Sequence, residues 1–480
     1  MKPGREFFTI GEAAGIADGE CFPQSAEREA MPQRFKADSR EVGRGDVFVA
    51  MPGSRDDGHN YIAQAVANGA RCVLLSRGYL QDRRDYLLGL GAAFIASGNP
   101  ERSIAAIARA WLDAVAPRTI GITGSVGKTT TREFIRSALK PHFKVHSAEK
   151  SYNTMTGVSM SVLAMPRGTE ILVLELGTNH PGEIKELVEN FPVSHGIITE
   201  VAAAHLEGLG SVEGVLAAKM EITESPALEC LSYNSDNDIL SAAVAGMPGG
   251  EKAKKGGIRQ IGVGYSNSGV RISDVRQAFG GDLLPALSFQ LSAGERKIAC
   301  RAGLFGKQHA KNIAFAYAAA MQMGLGDDDF SSSVPSFEIP EGRGVILRGG
   351  NGCILIDDTY NANPASMSQS VKNLLEMDSP GEMRRIGILG GMRELGAESG
   401  HWHEVVANRA SLLDEVYLIG SEWGTLAGRG SIRGVWQTAA DFIGSCGAPQ
   451  FANSAILIKG SRYYGLERIL PHLRGQSDAG

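Results

Sequence analysis

TIGITGSVGKTTTREFI, residues 119–135, runs from an apolar, β-branched segment through three glycines into a stretch of helical character. Gly121, Gly124 and Gly127 fall between the two, and Lys128, Thr129 and Thr130 follow at once. Without a Cβ in the way, backbone N–H groups can wrap phosphate oxygens, and a helix N-terminus favours negative charge. In this arrangement Lys128 reaches the outer phosphates and the Thr129 hydroxyl can hold Mg2+. The predicted cradle is Gly124, Ser125, Val126, Gly127, Lys128, Thr129 and Thr130. The general spacing G-x-x-x-x-G-K-[ST] would place glycine at position 122, where this chain has Ile122, so the loop is a variant. A plain glycine turn with a solvated lysine would need neither the strand before nor the helix after.

Outward from the loop, the strand-like segments RTIGIT (118–123), EILVLEL (170–176) and HGIITEV (195–201) alternate with helix-like TTREFIRSALK (130–140) and SVEGVLAAKMEI (211–222). That rhythm predicts a parallel sheet flanked by helices, a central nucleotide domain over 116–335. Glu175 ends its apolar strand, at the sheet edge where ligands gather. A carboxylate beside phosphates is repelled unless a divalent cation lies between, so Glu175 is a candidate Mg2+ ligand. His205 follows the third strand. A lone loop histidine is ordinarily a hydrogen-bonded structural residue, and a lone helix lysine is ordinarily solvated. Lys219, however, sits in a segment rich in Ala and Val, and burial would favour a neutral, reactive amine.

Residues 1–115 contain GDVFVAMPG (45–53), ARCVLLS (70–76) and helix-like YIAQAVANGA (61–70), a small α/β domain. Residues 336–480 contain GCILIDD, RRIGILGG, DEVYLIG and SAILIKG at helical spacings, a third and smaller α/β domain. Loop-rich stretches lie near 113–118, 245–258 and 326–344, and the first and last are read as boundaries. The length of 480 residues agrees with about three domains at ~100–200 residues each. With 43% hydrophobic and 21% charged residues the chain reads as folded and soluble. A net charge of -5 argues against nucleic acid as the main partner. Six scattered cysteines with no C-x-x-C pair argue against disulfides and zinc. No stretch approaches a membrane span of about 20 apolar residues and no signal peptide opens the chain, so a cytoplasmic location is expected.

Several motifs together resemble the Mur ligases, ATP-dependent amide synthetases of peptidoglycan assembly. They are GITGSVGKTT (121–130), ELGTNHPGEI (175–184), AHLEGLGSVEGVLAAKMEI (204–222), DDTYNANPASM (357–367) and IKGSRYYGLE (458–467), with DSREVGRGDVFVAMPGSRDDGHNYIAQAVANGA (38–70) near the N-terminus. ELGTNHPGEI and DDTYNANP look like the member that adds D-alanyl-D-alanine; the D-N-P-R signature of the diaminopimelate-adding member is absent. The resemblance implies an α/β protein of three domains. A central P-loop-type ATPase domain with a parallel sheet is flanked by an N-terminal UDP-substrate domain and a C-terminal Rossmann-like domain. It implies ATP and two Mg2+ ions as cofactors, UDP-N-acetylmuramoyl tripeptide and D-alanyl-D-alanine as substrates, and a monomer.

Position by position, the resemblance implies that Lys128 contacts phosphates, that Thr129 and Glu175 hold one Mg2+, and that His205 helps hold a second. It implies that Lys219 is carbamylated by CO2, which turns a repelling ammonium into hard oxygen ligands. Lys128, His205 and Lys219 are thus the expected catalytic group. Asn312, Arg343, Asp358, Tyr360 and Asn361 match positions that grip the nucleotide, and Asp38, Ser39, Arg40, Asn179 and Lys459 match substrate positions. Two departures stand out: Gln308 and His309 replace the usual His and Asn of G-x-H-N-x-x-N, and Gly391 replaces an aspartate in LGGMRELGAES. Competing readings are another Mur-type amino acid ligase, a P-loop NTPase switch without ligase activity, a non-catalytic regulatory relative, and a dinucleotide oxidoreductase. Ile122 and the third domain count against the switch, the joint presence of Lys128, Thr129, Glu175, His205 and Lys219 against a non-catalytic relative, and the missing G-x-G-x-x-G against the oxidoreductase.

Overall fold

The computed structural model describes residues 7–22, 26–53, 56–148, 152–247, 257–266, 268–279, 285–377, 383–424, 426–445 and 451–474. Its strands form three sheets of five, nine and six strands, with helices between most of the consecutive parallel strands. In the nine-stranded sheet the strand Arg118–Thr123 lies between Ile171–Glu175 and His195–Ile198, parallel to both. After Ile171–Glu175 the chain crosses over that central strand to begin His195–Ile198 on its other side. This reversal of direction opens a crevice at the carboxyl ends, the usual ligand position in such sheets. Apart from the exposed Arg118 the strands are buried and rich in β-branched residues, as a sheet covered on both faces requires.

The same sheet extends through Val270–Phe279, Pro285–Ala293 and Arg296–Ala302, joined antiparallel. The parallel reading of the sequence did not include this meander. Its alternation of buried and exposed residues marks one face packed and the other wet. The helix Gln308–Met323 then returns across the sheet and packs on Lys128–Leu139, burying Ile313, Phe315 and Tyr317 with Phe134 and Ile135.

The five-stranded sheet belongs to the N-terminal segment and the six-stranded sheet to the C-terminal segment. Pro100–Val115 links the first two sheets. It starts at an Asn99 cap with Pro100 in the first turn, and stops where Ala116 turns left-handed at φ 52°. Its buried Trp111 donates Nε1–H to Met165 O at 2.9 Å, fixing the helix against the central unit. In the C-terminal sheet Ser454–Lys459 is inserted between Ile354–Asp358 and Arg384–Gly390, all parallel, so Asp358 and Lys459 come side by side at the carboxyl edge. Cys21, Cys72, Cys230, Cys300 and Cys353 are buried free thiols, whereas Cys446 lies outside the described residues. The loop-rich stretch near 245–258 also lies largely outside them.

Candidate active site

The carboxyl edges of the central and C-terminal sheets face each other across a cavity of about 330 Å3. Ser125–Thr130, Glu175, His205 and Asn312 line one wall, and Arg343, Asp358, Tyr360, Asn361, Arg393, Glu394 and Lys459 the other. Two glycines of the loop are sterically obligatory. At Gly124 (φ 145°) a Cβ would lie 2.1 Å from Thr199 Oγ1, and at Gly127 (φ 91°) it would lie 2.8 Å from Asn312 Oδ1. Gly127 caps the helix Lys128–Leu139 with no side-chain acceptor, so the first N–H groups remain available to an anion. The variant spacing has a plain cause. Ile122 is still inside the strand, paired in register with Glu175 and fully buried, so the turn begins later than in the general loop.

Lys128 donates from Nζ to Gly124 O at 2.5 Å. Burial pushes its ammonium below the ordinary lysine range, Glu175 opposing and Arg343 reinforcing that shift. Thr129 and Glu175 are both buried, and the hydroxyl lies 3.1 and 3.0 Å from the two carboxylate oxygens. Such a pair of hard oxygen donors beside a phosphate cradle fits Mg2+, which keeps few protein ligands and takes the rest from phosphate and water. Among the described residues no three His, Cys, Asp or Glu side chains cluster tightly enough to hold a metal by themselves. Arg132, three positions after Thr129 on the same helix face, reaches Glu175 Oε2 at 3.4 Å and also pairs with Glu133.

His205 sits at φ 54°, a left-handed conformation unusual for a side chain of its size, and its ring Nδ1 stands 2.5 Å from Glu394 Oε2. The contact falls outside hydrogen-bond geometry. Glu394 has φ 65°, and its carbonyl accepts from Glu207 N at 3.3 Å, so the C-terminal unit touches both sides of this turn. Glu394 was not singled out from sequence, and no local pattern marks it. Lys219 does not line the cavity. It lies 1% exposed on Val212–Met220, with no hydrogen-bond or ion-pair partner among the described residues. Burial, reinforced by the charge of Lys128, depresses its pKa well below the lysine range.

On the C-terminal wall, Lys459 Nζ pairs with Asp358 Oδ2 at 2.9 Å and donates to Asn361 O at 3.0 Å, while Ser370 Oγ donates to Asp358 at 2.6 Å. The Arg343 guanidinium lies over the Tyr360 ring at 4.1 Å. Asn363, which caps the helix Pro364–Leu375, donates to Ser125 O at 3.2 Å and ties this unit to the phosphate loop. The two departures also acquire physical reasons. Gln308 accepts from Asn373 Nδ2 at 2.7 Å, a second tie between the units, and buried His309, pushed down to about 4 by desolvation, stands 3.4 Å from Asn312 Nδ2. A Cβ on Gly391 would lie 2.8 Å from Tyr464 Oη and 2.9 Å from Glu422 Oε2, so an aspartate there would have to displace both side-chain ends.

Asp38, Ser39 and Arg40 lie elsewhere, in a cavity of about 1830 Å3 between the N-terminal and central units. Arg40 grips Asp38 through two bonds of 2.9 and 2.7 Å, and Ser39 Oγ donates to Gln64 Oε1 at 2.9 Å. Asn179 is exposed and lines neither cavity; its backbone N donates to Glu183 Oε2 at 2.7 Å. Lys459 lines the smaller cavity, on its C-terminal wall.

Fold and site define a phosphate-loop α/β enzyme in which a second, Rossmann-like unit closes over the nucleotide cradle. The chain belongs to the Mur ligase family. Residues 122–320 match the Mur ligase middle domain, 342–435 the Mur ligase glutamate ligase domain, and 34–115 the Mur ligase family catalytic domain. It is 31% identical over 434 residues to the UDP-N-acetylmuramoyl-tripeptide–D-alanyl-D-alanine ligase of Mycobacterium tuberculosis (strain ATCC 25618 / H37Rv), covering 85% of this chain and 81% of the relative. To the Escherichia coli K12 enzyme of the same name it is 28% identical, over 97% of this chain and 98% of the relative. The crystal structure of MurF ligase from Thermotoga maritima in complex with ADP superposes with a TM-score of 0.76 at 27% identity, over 92% and 97% of the two chains. A MurF structure from Acinetobacter baumannii shares the fold at a TM-score of 0.82 and 23% identity, over 99% and 100%.

Proposed function

We propose that this chain joins D-alanyl-D-alanine to UDP-N-acetylmuramoyl tripeptide in peptidoglycan precursor synthesis, using ATP and an acyl phosphate. The observation that carries this reading is the shared cavity. The triphosphate cradle, the Thr129–Glu175 pair and His205 face the strand ends of the C-terminal unit across a space of about 330 Å3. A carboxylate resists attack because it is anionic and lacks a leaving group. In the first step its oxygen bonds to the γ-phosphorus of ATP while the bond to the bridging oxygen breaks, releasing ADP. The amine then attacks the acyl carbon, phosphate departs with the bonding electrons, and the amine proton is lost.

Lys128 and the N–H groups at the start of the helix Lys128–Leu139 hold the phosphates and offset the charge that spreads over the transferring group. Thr129 and Glu175 would hold one Mg2+; His205 and a carbamate on Lys219 would serve a second. When bound, Mg2+ neutralises phosphate oxygens in the transition state. The neutral Lys219 amine favoured by burial is the form that attacks CO2, forming an N–C bond and releasing one proton. Arg343, Asn312, Asp358, Tyr360 and Asn361 position the nucleotide, Asp38, Ser39 and Arg40 the UDP end, and Lys459 the substrate. Asn179 is assigned to the acceptor peptide. The units divide at 1–115, 116–335 and 336–480. The chain acts as a monomer in the cytoplasm, where ATP and UDP-linked precursors are made; no helix among the described residues is long and apolar enough to cross a membrane.

The test is phosphate release from ATP with purified UDP-muramoyl tripeptide, comparing D-alanyl-D-alanine with single amino acids. Release that requires the dipeptide supports the assignment; release preferring a single amino acid points to another Mur-type ligase, and release indifferent to any amine to an NTPase switch.

A further inference from the structure

We propose that Arg393 binds the carboxylate of the amine donor and thereby selects a dipeptide with a free C-terminus. This rests on the ligase reading above. Arg393 lines the cavity that holds Lys128, Glu175 and His205, and its side chain is 51% exposed. It is nevertheless held. Nη1 donates to Glu422 Oε1 at 2.9 Å, and the guanidinium lies 4.6 Å over the ring of Tyr463, itself an exposed aromatic. Glu422 is fixed in turn by the Tyr464 hydroxyl, which donates to Oε2. Two glycines make room for that buttress: a Cβ at Gly391 or Gly420 would come within 2.7–2.9 Å of Tyr464 Oη and Glu422 Oε2. The result is a pre-oriented guanidinium with one edge engaged and the rest open, the form of cation suited to bidentate carboxylate recognition.

The other cations of the cavity are already committed. Lys459 is buried and bonded to Asp358 and Asn361. Arg343 lies on Tyr360 and close enough to Lys128 to oppose its charge, which places it with the triphosphate. Arg393 instead adjoins Glu394, whose carboxylate stands 2.5 Å from His205. A dipeptide places its carboxylate roughly 6–7 Å from its amine at ~3.3–3.6 Å per residue. An anchor elsewhere in the same cavity therefore suits a dipeptide, whose carboxylate lies farther from its amine than that of a single amino acid.

The experiment measures donor KM with D-alanyl-D-alanine and with its C-terminal amide, for the unaltered enzyme, Arg393→Ala and Arg393→Lys. The unaltered enzyme is expected to prefer the acid over the amide by ~10–100-fold, the range for a charge-assisted pair. Arg393→Ala should raise KM for the acid by about that factor, abolish the preference, and leave KM for ATP and for the UDP-tripeptide within about twofold. Arg393→Lys, which keeps the charge but not the fork, should keep a reduced preference and serves if the alanine variant does not fold. Glu422→Gln should loosen the guanidinium and lower the same preference. If Arg393→Ala distinguishes acid from amide as the unaltered enzyme does, the proposal fails. If the unaltered enzyme shows no turnover dependent on D-alanyl-D-alanine, the ligase reading beneath it fails instead.

Discussion

Replacing Lys219 with Met separates a structural lysine from a chemical one. The side chain is 1% exposed and has no polar partner among the described residues, and the nearby charge of Lys128 adds repulsion to the cost of burial. Met fills nearly the same length without a donor. Met removes that desolvation cost while keeping the packing, so the fold should be at least as stable, read as an unchanged or raised Tm. If the amine carries a carbamate that serves a cation, the same change removes an anionic ligand worth several kcal/mol of charge stabilisation. At ~1.36 kcal/mol per tenfold, kcat should fall by roughly 10²–10³. The assay is phosphate release at saturating ATP, UDP-tripeptide and D-alanyl-D-alanine, run beside thermal unfolding. Lys219→Ala leaves space, and a short-chain carboxylic acid should partly restore its activity. A stable Lys219→Met enzyme with unimpaired kcat would refute the carbamate.

Glu175→Gln keeps the acceptor for Thr129 but removes the charge, so the Mg2+ concentration for half-maximal phosphate release should rise about tenfold or more; an unchanged Mg2+ titration would contradict the assignment. Gly127→Ala forces an L-residue to φ 91° with Cβ 2.8 Å from Asn312 Oδ1. The strain of ~1–2 kcal/mol should appear as a rise of roughly tenfold in KM for ATP, with donor KM unchanged. Buried His195 has its pKa pushed down to about 3, chiefly by desolvation. The unfolded chain takes up this proton below about pH 6.5 and the folded chain does not, so the stability this group contributes at neutral pH is lost as pH falls from about 6.5 toward 3, by up to ~4–5 kcal/mol. His195→Gln should flatten urea-denaturation stability between about pH 6.5 and 4 relative to the unaltered chain; parallel pH curves would count against it.

The phosphate loop and its strands were legible because their signals are local: β-branched runs, glycines at fixed offsets and a helix start. The antiparallel meander Val270–Ala302 was not, because its alternation is interrupted by a register shift between Ser273 and Arg276. Glu175 could be placed from its strand end, and Arg132 was within reach of helical spacing from Thr129. Lys219's burial was foreshadowed by its Ala- and Val-rich neighbours, but its lack of a partner depends on the whole packing. Contacts such as His205–Glu394 and Asn363–Ser125 join residues far apart in the chain, where docking of two sheets decides which side chains meet. The Gln308 and Gly391 departures became intelligible only with Asn373, Tyr464 and Glu422 in view.

The central claim is that a carboxylate oxygen of the acceptor takes the γ-phosphoryl group before the amine attacks. UDP-muramoyl tripeptide labelled with heavy oxygen in its terminal carboxylate tests this in one turnover experiment, read by mass spectrometry of the inorganic phosphate. Transfer of one labelled oxygen to each phosphate released is the predicted result. Unlabelled phosphate formed alongside full product would contradict it.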